Sequence, residues 1–475
     1  MKKRIAALIL CAVMLLPVLT AGAQRSLTNF YDDSVVRQFN TVVYCLSQDR
    51  YRLVPEVRTV SVFGSETMLD VLAAEVLAAP KSEQLVCAMS ERVQLYVLSV
   101  AQTGKVATVD LGGDADMLQL YELFCLKAAM ANTLIETGQV EYVNVLFEGR
   151  EIPTNDLPSG TLTRFDEDLQ SAWIEHENEG VAATRSPDYT FKRNVTLYFA
   201  GKNSDLLLAE VRQISFTRSD LALPVINALI TGPFTDTELR RSYPSSANVL
   251  GIPTYEYEDE YTRYLSIDFS YEMGNAFLDE EERRIQFSPI VMTLTTFLPQ
   301  TDAVLIRVNR RPVEGLDGAD SGERLLYHSQ FSGMVGRTVE LYFPEEEGRQ
   351  VRITRAVPQK KNTLRDLLEQ LLSVPENVQA VFPEGFDETH LRGVSMVDDI
   401  AVLNLTAEGA ELIKAMPNDR ARSCIFCIVN TLTSAAGVSR VQFLVEGCHI
   451  DSTVGELSLR SPLVRNPGVI RTTQN

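Results

Sequence analysis

One pattern recurs three times along this 475-residue chain, and it fixes the architecture before any single residue is weighed. Thr41-Val-Val-Tyr-Cys45, Val195-Thr-Leu-Tyr-Phe199 and Val339-Glu-Leu-Tyr-Phe343 each have the composition of a short strand, and their tyrosines, Tyr44, Tyr198 and Tyr342, are 154 and 144 residues apart. A second extended run follows in each copy and ends near an arginine, Arg58, Arg212 or Arg355, spaced 154 and 143. A helical stretch then stops at Pro80, Pro233 or Pro375, spaced 153 and 142. Counting back from each proline, Leu69, Leu72, Ala73, Val76 and Leu77 match Ala222, Val225, Ile226, Leu229 and Ile230, then Leu364, Leu367, Leu368, Leu371 and Leu372. Every one is apolar at the spacing of a one-faced helix. Ser65, Ser219 and Thr363 precede these helices as candidate N-caps.

The second half of each copy repeats as well. Ala107-Val109-Leu111, Leu265-Ile267-Phe269 and Ala401-Leu403-Leu405 alternate like the inner face of a strand. A second helix is predicted over 118–137, 281–298 and 419–435, and a last strand puts Val143, Val145 and Phe147, Val304, Ile306 and Val308, and Val441, Phe443 and Val445 on one face. Asn144, Arg307 and Gln442 lie on the other face, a mixture that suits a sheet covered on one side. The fold expected is α+β: three tandem β-β-α-β-β-α-β modules, each a mixed sheet with two helices on one face. Modules are assigned to residues 38–153, 191–315 and 338–461, with a polar linker at 154–190, a second linker at 316–337 and a loose tail at 462–475.

Residues 1–23 read as a signal peptide: Lys2-Lys3-Arg4, an apolar run to Thr20, and Ala21-Gly22-Ala23 with cleavage after Ala23. Cys11 follows the bulky Leu10 and is a poor acylation site; the alternative to cleavage is an uncleaved anchor, which would be the only route to a membrane. The protein is therefore expected to be extracytoplasmic, secreted or envelope-associated. A net charge of −19 excludes nucleic acid as a partner and disfavours docking on anionic lipid. Six cysteines remain beyond Cys11, too few for a disulfide-stapled scaffold.

Together these marks resemble the GerMN domain of sporulation and spore-germination proteins. The matching segments are Leu-Tyr-Phe at 197–199 and 341–343, the arginine-ended second strand, and the helix closing in Leu77–Pro80, Ile230–Pro233 and Leu372–Pro375. Val109-Asp110-Leu111, Ile267-Asp268-Phe269 and Leu403-Asn404-Leu405 match too, as do Val-Leu-Phe-Glu-Gly at 145–149 and Phe-Leu-Val-Glu-Gly at 443–447. Copy two departs from that ending with Arg307-Val308-Asn309-Arg310-Arg311. The resemblance covers about four-fifths of the chain beyond the leader. It implies a ring-building-motif-like module and a non-enzymatic envelope component with protein partners, ring- or channel-forming ones among them.

The sequence holds no Gly-rich phosphate loop, Gly-x-Ser-x-Gly elbow or His-Glu-x-x-His helix. Cys424-Ile-Phe-Cys427 lies within the second helix of copy three, where cysteines read as small buried hydrophobes; a redox pair or a zinc half-site is the alternative. Cys45 occupies the place of Phe199 and Phe343 and reads as core, and His449 lacks further ligands. Arg58, Arg212 and Arg355 are expected to fix a carboxylate or carbonyl inside each module, the alternative being a bound anion. Asp110 and Asp268 align with Asn404, an exchange that no obligate proton-transfer group survives. Tyr255-Glu-Tyr-Glu-Asp-Glu-Tyr261 is expected to be a solvated hairpin with cross-strand tyrosines, or else an interaction patch. No catalytic residue, cofactor site or metal site is assigned. The function expected is a scaffold that docks partners through residues such as Glu148 and Glu446; a binding protein for cell-wall glycan or a germinant is the alternative, and a wall hydrolase comes third.

Overall fold

The computed structural model describes residues 36–471 apart from 64–65, 235–237, 275–279, 314–324, 360–362, 398, 436 and 452. The leader with Ala23 and Cys11, and Ser65, lie outside the described residues.

In the first module, β1 (Val36–Ser47) and β2 (Leu53–Phe63) form a long antiparallel hairpin with Val36 opposite Phe63 and Leu46 opposite Leu53. Helix α1 (Met68–Leu77) follows, and the short β3 (Leu85–Val86) pairs with β1. Strand β4 (Leu95–Thr103) runs antiparallel to β5 (Val106–Gly113). Helix α2 (Leu120–Glu136) then carries the chain back so that β6 (Tyr142–Phe147) lies parallel to β5, a connection no tight turn can make.

Helix α3 (Leu169–Arg185) leads to the second module: hairpin β7 (Thr190–Ala200) and β8 (Leu207–Thr217), α4 (Ala222–Thr231), β9 (Thr254–Tyr257), β10 (Arg263–Phe269), α5 (Glu280–Phe297) and β11 (Ala303–Val308). The two-residue strands β12 (Arg311–Pro312) and β13 (Leu326–Tyr327) both pair with β11. The third module comprises hairpin β14 (Gly336–Pro344) and β15 (Gln350–Pro358), α6 (Thr363–Leu372), β16 (Leu391–Val397), β17 (Ile400–Leu405), α7 (Ala407–Lys414), α8 (Asn418–Leu432) and β18 (Arg440–Val445). Four short strands close it: β19 (Cys448–His449), the pair β20 (Thr453–Val454) and β21 (Leu457–Ser458), and β22 (Leu463–Val464) on β18.

The chain is thus a mixed α+β protein of three repeated domains, each around its own apolar cluster. The fifteen periodic helix positions are all buried except Leu77 and Leu372, which are half-buried. At about 1.5–3 kcal/mol for each large side chain buried, that face is what holds the first helix of each module in place.

The single sheet expected in each module is divided in two. The hairpin and the mixed sheet share no strand pairing. At the hairpin's inner edge a buried threonine of the second helix takes one strand N–H in each module: the Tyr44 N–H donates to Thr133 Oγ1 at 2.9 Å, Tyr198 to Thr293 at 3.0 Å and Tyr342 to Thr431 at 3.0 Å. The helix occupies the edge where a strand would sit and satisfies its buried N–H.

The segments outside the three modules carry structure of their own. The polar linker at 154–190 contains α3, capped by Asp168 on the Ser171 N–H, and an extended stretch in which Leu162 bridges Val143. Helix α3 buries only Leu169 and Ala183, so it leaves little periodicity to read. The second linker supplies β13, with Leu326 on Val304. The tail is docked as far as residue 471: Leu463 pairs with Val441, and the Asn430 side chain exchanges hydrogen bonds with the Asn466 backbone. Every module is completed by a returning segment that places a leucine, Leu162, Leu326 or Leu463, beside its last strand.

The N-caps also differ. Thr67 caps α1 in a reciprocal pair with Asp70, Ser219 bonds Thr217 instead of capping α4, and Thr363 is the first helical residue of α6.

Candidate functional site

The three arginines close helix ends. Arg58, 1% exposed, donates from Nη1 to Glu75 O and Oε2, both at 2.8 Å, and from Nε to Glu56 Oε2 at 2.6 Å. Arg212 donates to the carbonyls of Ala228 at 3.3 Å and Gly232 at 2.6 Å, and Arg355 to those of Gln370 at 3.0 Å and Ser373 at 2.9 Å. Each guanidinium donates to carbonyls at or just beyond the last turn of α1, α4 or α6, at the negative end of the helix. Burial pushes the Glu56 carboxyl up, but hydrogen bonds from Arg58 and from the Ser82 and Lys81 amides outweigh it and hold the group below its usual range. These guanidiniums are each engaged with their own module.

Asp110, Asp268 and Asn404 share another task. Their Oδ1 atoms accept from the N–H of Gly149 at 2.9 Å, Arg310 at 2.8 Å and Gly447 at 3.0 Å. Each N–H belongs to the second residue of a tight turn whose two central residues have positive φ: Glu148 and Gly149, Asn309 and Arg310, Glu446 and Gly447. Such type I′ turns fit the twist of a hairpin, and Gly or Asn suits them best. An Asp-to-Asn exchange is harmless here because only an acceptor oxygen is required.

Glu148 and Glu446, the candidate docking residues, sit exposed at the first position of these turns. Glu446 accepts from the Ala407 N–H at the start of α7 at 3.1 Å and pairs with Arg392. The structure does not bring the two glutamates together; each crowns its own module.

The cysteine pair in α8 lies in the apolar core of the third module. Cys424 and Cys427 are fully buried, and burial pushes the Cys424 thiol up to about 12. Among the described residues no three His, Cys, Asp or Glu side chains gather closely enough to hold a metal ion. The acidic tyrosine run contributes β9 to hairpin β9–β10, but no tyrosine faces another: Tyr255 faces Leu265, Tyr257 faces Arg263, and Glu256 faces Tyr264, whose hydroxyl donates to it at 2.8 Å. Tyr257 and Tyr261 remain exposed.

The mixed outer face of the sheet is covered, contrary to expectation. Asn144, 3% exposed, donates from Nδ2 to Thr196 Oγ1 on β7 of the next module at 3.0 Å and to Thr108 Oγ1 at 3.2 Å. Thr161 Oγ1 lies 2.8 Å from the same Thr196 hydroxyl, and the Thr161 N–H donates to Asn194 O at 2.7 Å. Arg150 pairs with Asp302 at 2.8 Å across the same junction. In the third module the equivalent Gln442 is covered by its own chain, donating to Leu459 O at 3.0 Å. Inside α2, Lys127 is buried against Glu151 at 2.9 Å and Ser159 at 2.8 Å, fixing the exit of the chain from the first module. A lysine within an apolar helix is the sequence signal that points to such a buried pair.

The profile of the Germane family, described as sporulation and spore germination, matches residues 42–153, 196–314 and 340–451. Among solved structures, the tandem GerMN domains of the sporulation protein GerM from Bacillus subtilis align at 15% identity over 61% of this chain and 96% of that one, with a TM-score of 0.25. The first GerMN domain of that protein aligns at 20% identity over 27% and 97%, TM-score 0.23, and a putative lipoprotein from Clostridium perfringens at 20% over 27% and 87%, TM-score 0.20. No curated protein matches the chain. The three matched stretches contain the three tyrosine strands, the three helix-closing arginines and the three Asp or Asn turn acceptors, so the chain belongs to the Germane family of sporulation and spore-germination proteins, with that domain present in triplicate.

Proposed function

We propose that this protein is an exported, non-enzymatic scaffold of the cell envelope in sporulation or spore germination, whose β-β-α-β-β-α-β modules dock side by side in the manner of ring-building motifs. The observation that carries this reading is the buried seam at Asn144, Thr161 and Thr196, where one module packs its sheet face against the hairpin of the next. The repeated polar residues support it from the other side. Arginine, threonine and Asp or Asn are all engaged in internal bonds, which leaves surfaces as the means of action. No helix among the described residues is long and apolar enough to cross a membrane.

The test is photo-crosslinking from Glu148 and Glu446 in a spore-forming host, followed by mass spectrometry. The scaffold reading expects crosslinks to extracytoplasmic envelope proteins that vanish when either glutamate is changed to lysine. Retention of the purified chain on peptidoglycan with no protein crosslink would replace it with a glycan-binding role. Release of soluble fragments from that wall would overturn the non-enzymatic assignment.

A further inference from the structure

The first module holds two neighbouring cysteines, Cys45 on β1 and Cys87 just after β3. Strand β3 pairs with β1 antiparallel, Leu46 opposite Val86 and Ser47 opposite Leu85. The paired stretch ends there; continuing its register by one residue would set Cys45 opposite Cys87, the residue that follows β3. Directly opposed residues of an antiparallel pair have Cα atoms about 4.5–5.5 Å apart, within the roughly 4.4–6.8 Å that disulfides span. The thiols also share a face. Cys45 Sγ lies 3.3 Å from Nη2 of Arg58, whose Nη1 is bonded to Glu75 O, and Cys87 Sγ lies 3.9 and 3.8 Å from the next two carbonyls of the same helix, Val76 O and Leu77 O.

The remaining described cysteines have no such geometry. Cys424 and Cys427 stand three apart on one helix, where Cβ atoms are about 5–6 Å apart, beyond the roughly 3.5–4.5 Å of a disulfide. Cys125 is buried inside α2, and Cys448 is exposed on the turn strand β19.

We infer that Cys45 and Cys87 are a disulfide-forming pair that closes when the chain meets a disulfide oxidant. Cys87 is half-buried and within reach of such a reagent, whereas Cys45 is 5% exposed. The Cys87 thiolate attacks one sulfur of the donor disulfide, forming a mixed disulfide and expelling the first donor thiolate. Cys45 then attacks Cys87 Sγ, the mixed disulfide breaks, and the second donor thiolate leaves. Two protein thiols become one Sγ–Sγ bond, the donor disulfide becomes two thiols, and the two cysteine protons pass to them. Burial holds the Cys45 thiol up at about 11, so resolution is the slow step, and Arg58 keeps Glu56 and Glu75 when Cys45 turns away. The bond ties β1 to β3 and encloses β2 and α1, constraining the unfolded chain. A chain with an export leader would meet such oxidants outside the cytoplasm.

The experiment is to incubate the reduced, folded full-length chain with oxidised glutathione, quench with an alkylating agent after unfolding, and map the peptides. The expected result is a linked Cys45–Cys87 peptide pair lacking two hydrogens, with Cys125, Cys424 and Cys427 alkylated, and a Tm raised by several degrees that reductant reverses. Cys45→Ser should stop at glutathionylated Cys87. Wild-type protein that halts at that mixed disulfide, or that keeps both thiols while the exposed Cys448 is glutathionylated, would overturn the inference. The wild-type map decides the matter even if Cys45→Ser fails to fold.

Discussion

The Asn404 side chain accepts the Gly447 N–H at 3.0 Å where, in the first module, the Asp110 carboxylate accepts the Gly149 N–H at 2.9 Å. One neutral and one ionisable group do the same work, which predicts how each responds to pH. Burial, then the nearby Glu148 charge, holds the Asp110 carboxyl above its usual range. A carboxyl whose folded pKa is raised contributes stability that is fully present below its unfolded pKa and is lost as pH rises through the folded value. Asp110→Asn should therefore gain on wild type as pH climbs from about 4 toward neutrality, while Asp110→Ala loses about 1–3 kcal/mol by stranding the turn N–H. Urea unfolding at pH 4 and pH 7 checks both; an Asp110→Asn variant less stable than wild type at pH 7 would refute the account.

Arg58 and Arg355 close equivalent helices with different partners. Arg58 is fully buried against the carboxylates of Glu56 and Glu75, while Arg355 meets the neutral Gln370 and Ser373. Removing one member of a buried ion pair costs about 3–5 kcal/mol, whereas losing neutral hydrogen bonds at a helix end costs about 1–2 kcal/mol. Arg58→Ala should open α1 in native-state hydrogen exchange far more than Arg355→Ala opens α6. Equal effects would mean that the carboxylates add nothing.

Thr431 supplies the acceptor for the Tyr342 N–H, and it is fully buried. Thr431→Val keeps the volume but strands a buried donor, at a cost of about 1–3 kcal/mol. The Tyr342 amide should then exchange at least tenfold faster, while the Tyr198 amide, held by Thr293, is unchanged. Uniform exchange across both would place the strand edge under some other protection.

What the sequence disclosed was what repeats in register with a face. The helix positions from Leu69 to Leu372 were legible because burial imposes a period of 3.6 residues, whereas the alignment of Asp110 and Asp268 with Asn404 argued only against proton transfer and left their turn-acceptor role unread. The split of each module into two sheets was not legible. The hairpin edge is met by one hydroxyl per module at Thr133, Thr293 and Thr431, and a threonine in an apolar helix has no sequence mark that separates a strand-edge acceptor from a half-polar filler. Helix α3 escaped for the opposite reason: with only Leu169 and Ala183 buried, its polar surface resembles a linker. Asn144 was assigned to an exposed face because its strand alternates, and alternation cannot tell solvent from a neighbouring module.

That seam gives the last prediction. Asn144 and Thr196 are 3% and 2% exposed, and their mutual hydrogen bonds join two modules, beside the Arg150–Asp302 pair and the packing of Ala101 on the second module's apolar cluster. Asn144→Leu removes both the donor and the acceptor that face Thr196 and leaves a buried hydroxyl with Thr161 alone, which costs about 1–3 kcal/mol at the junction. The individual module cores lose nothing. Calorimetry should therefore show the first module separating from the second as its own transition, with the third unmoved, and limited proteolysis should cut first near residues 154–168. The double variant with Thr196→Val, which takes away both polar partners, should recover part of the loss. If Asn144→Leu left a single unchanged transition, the seam would be a contact without energetic weight, and side-by-side docking through this face would lose its physical basis.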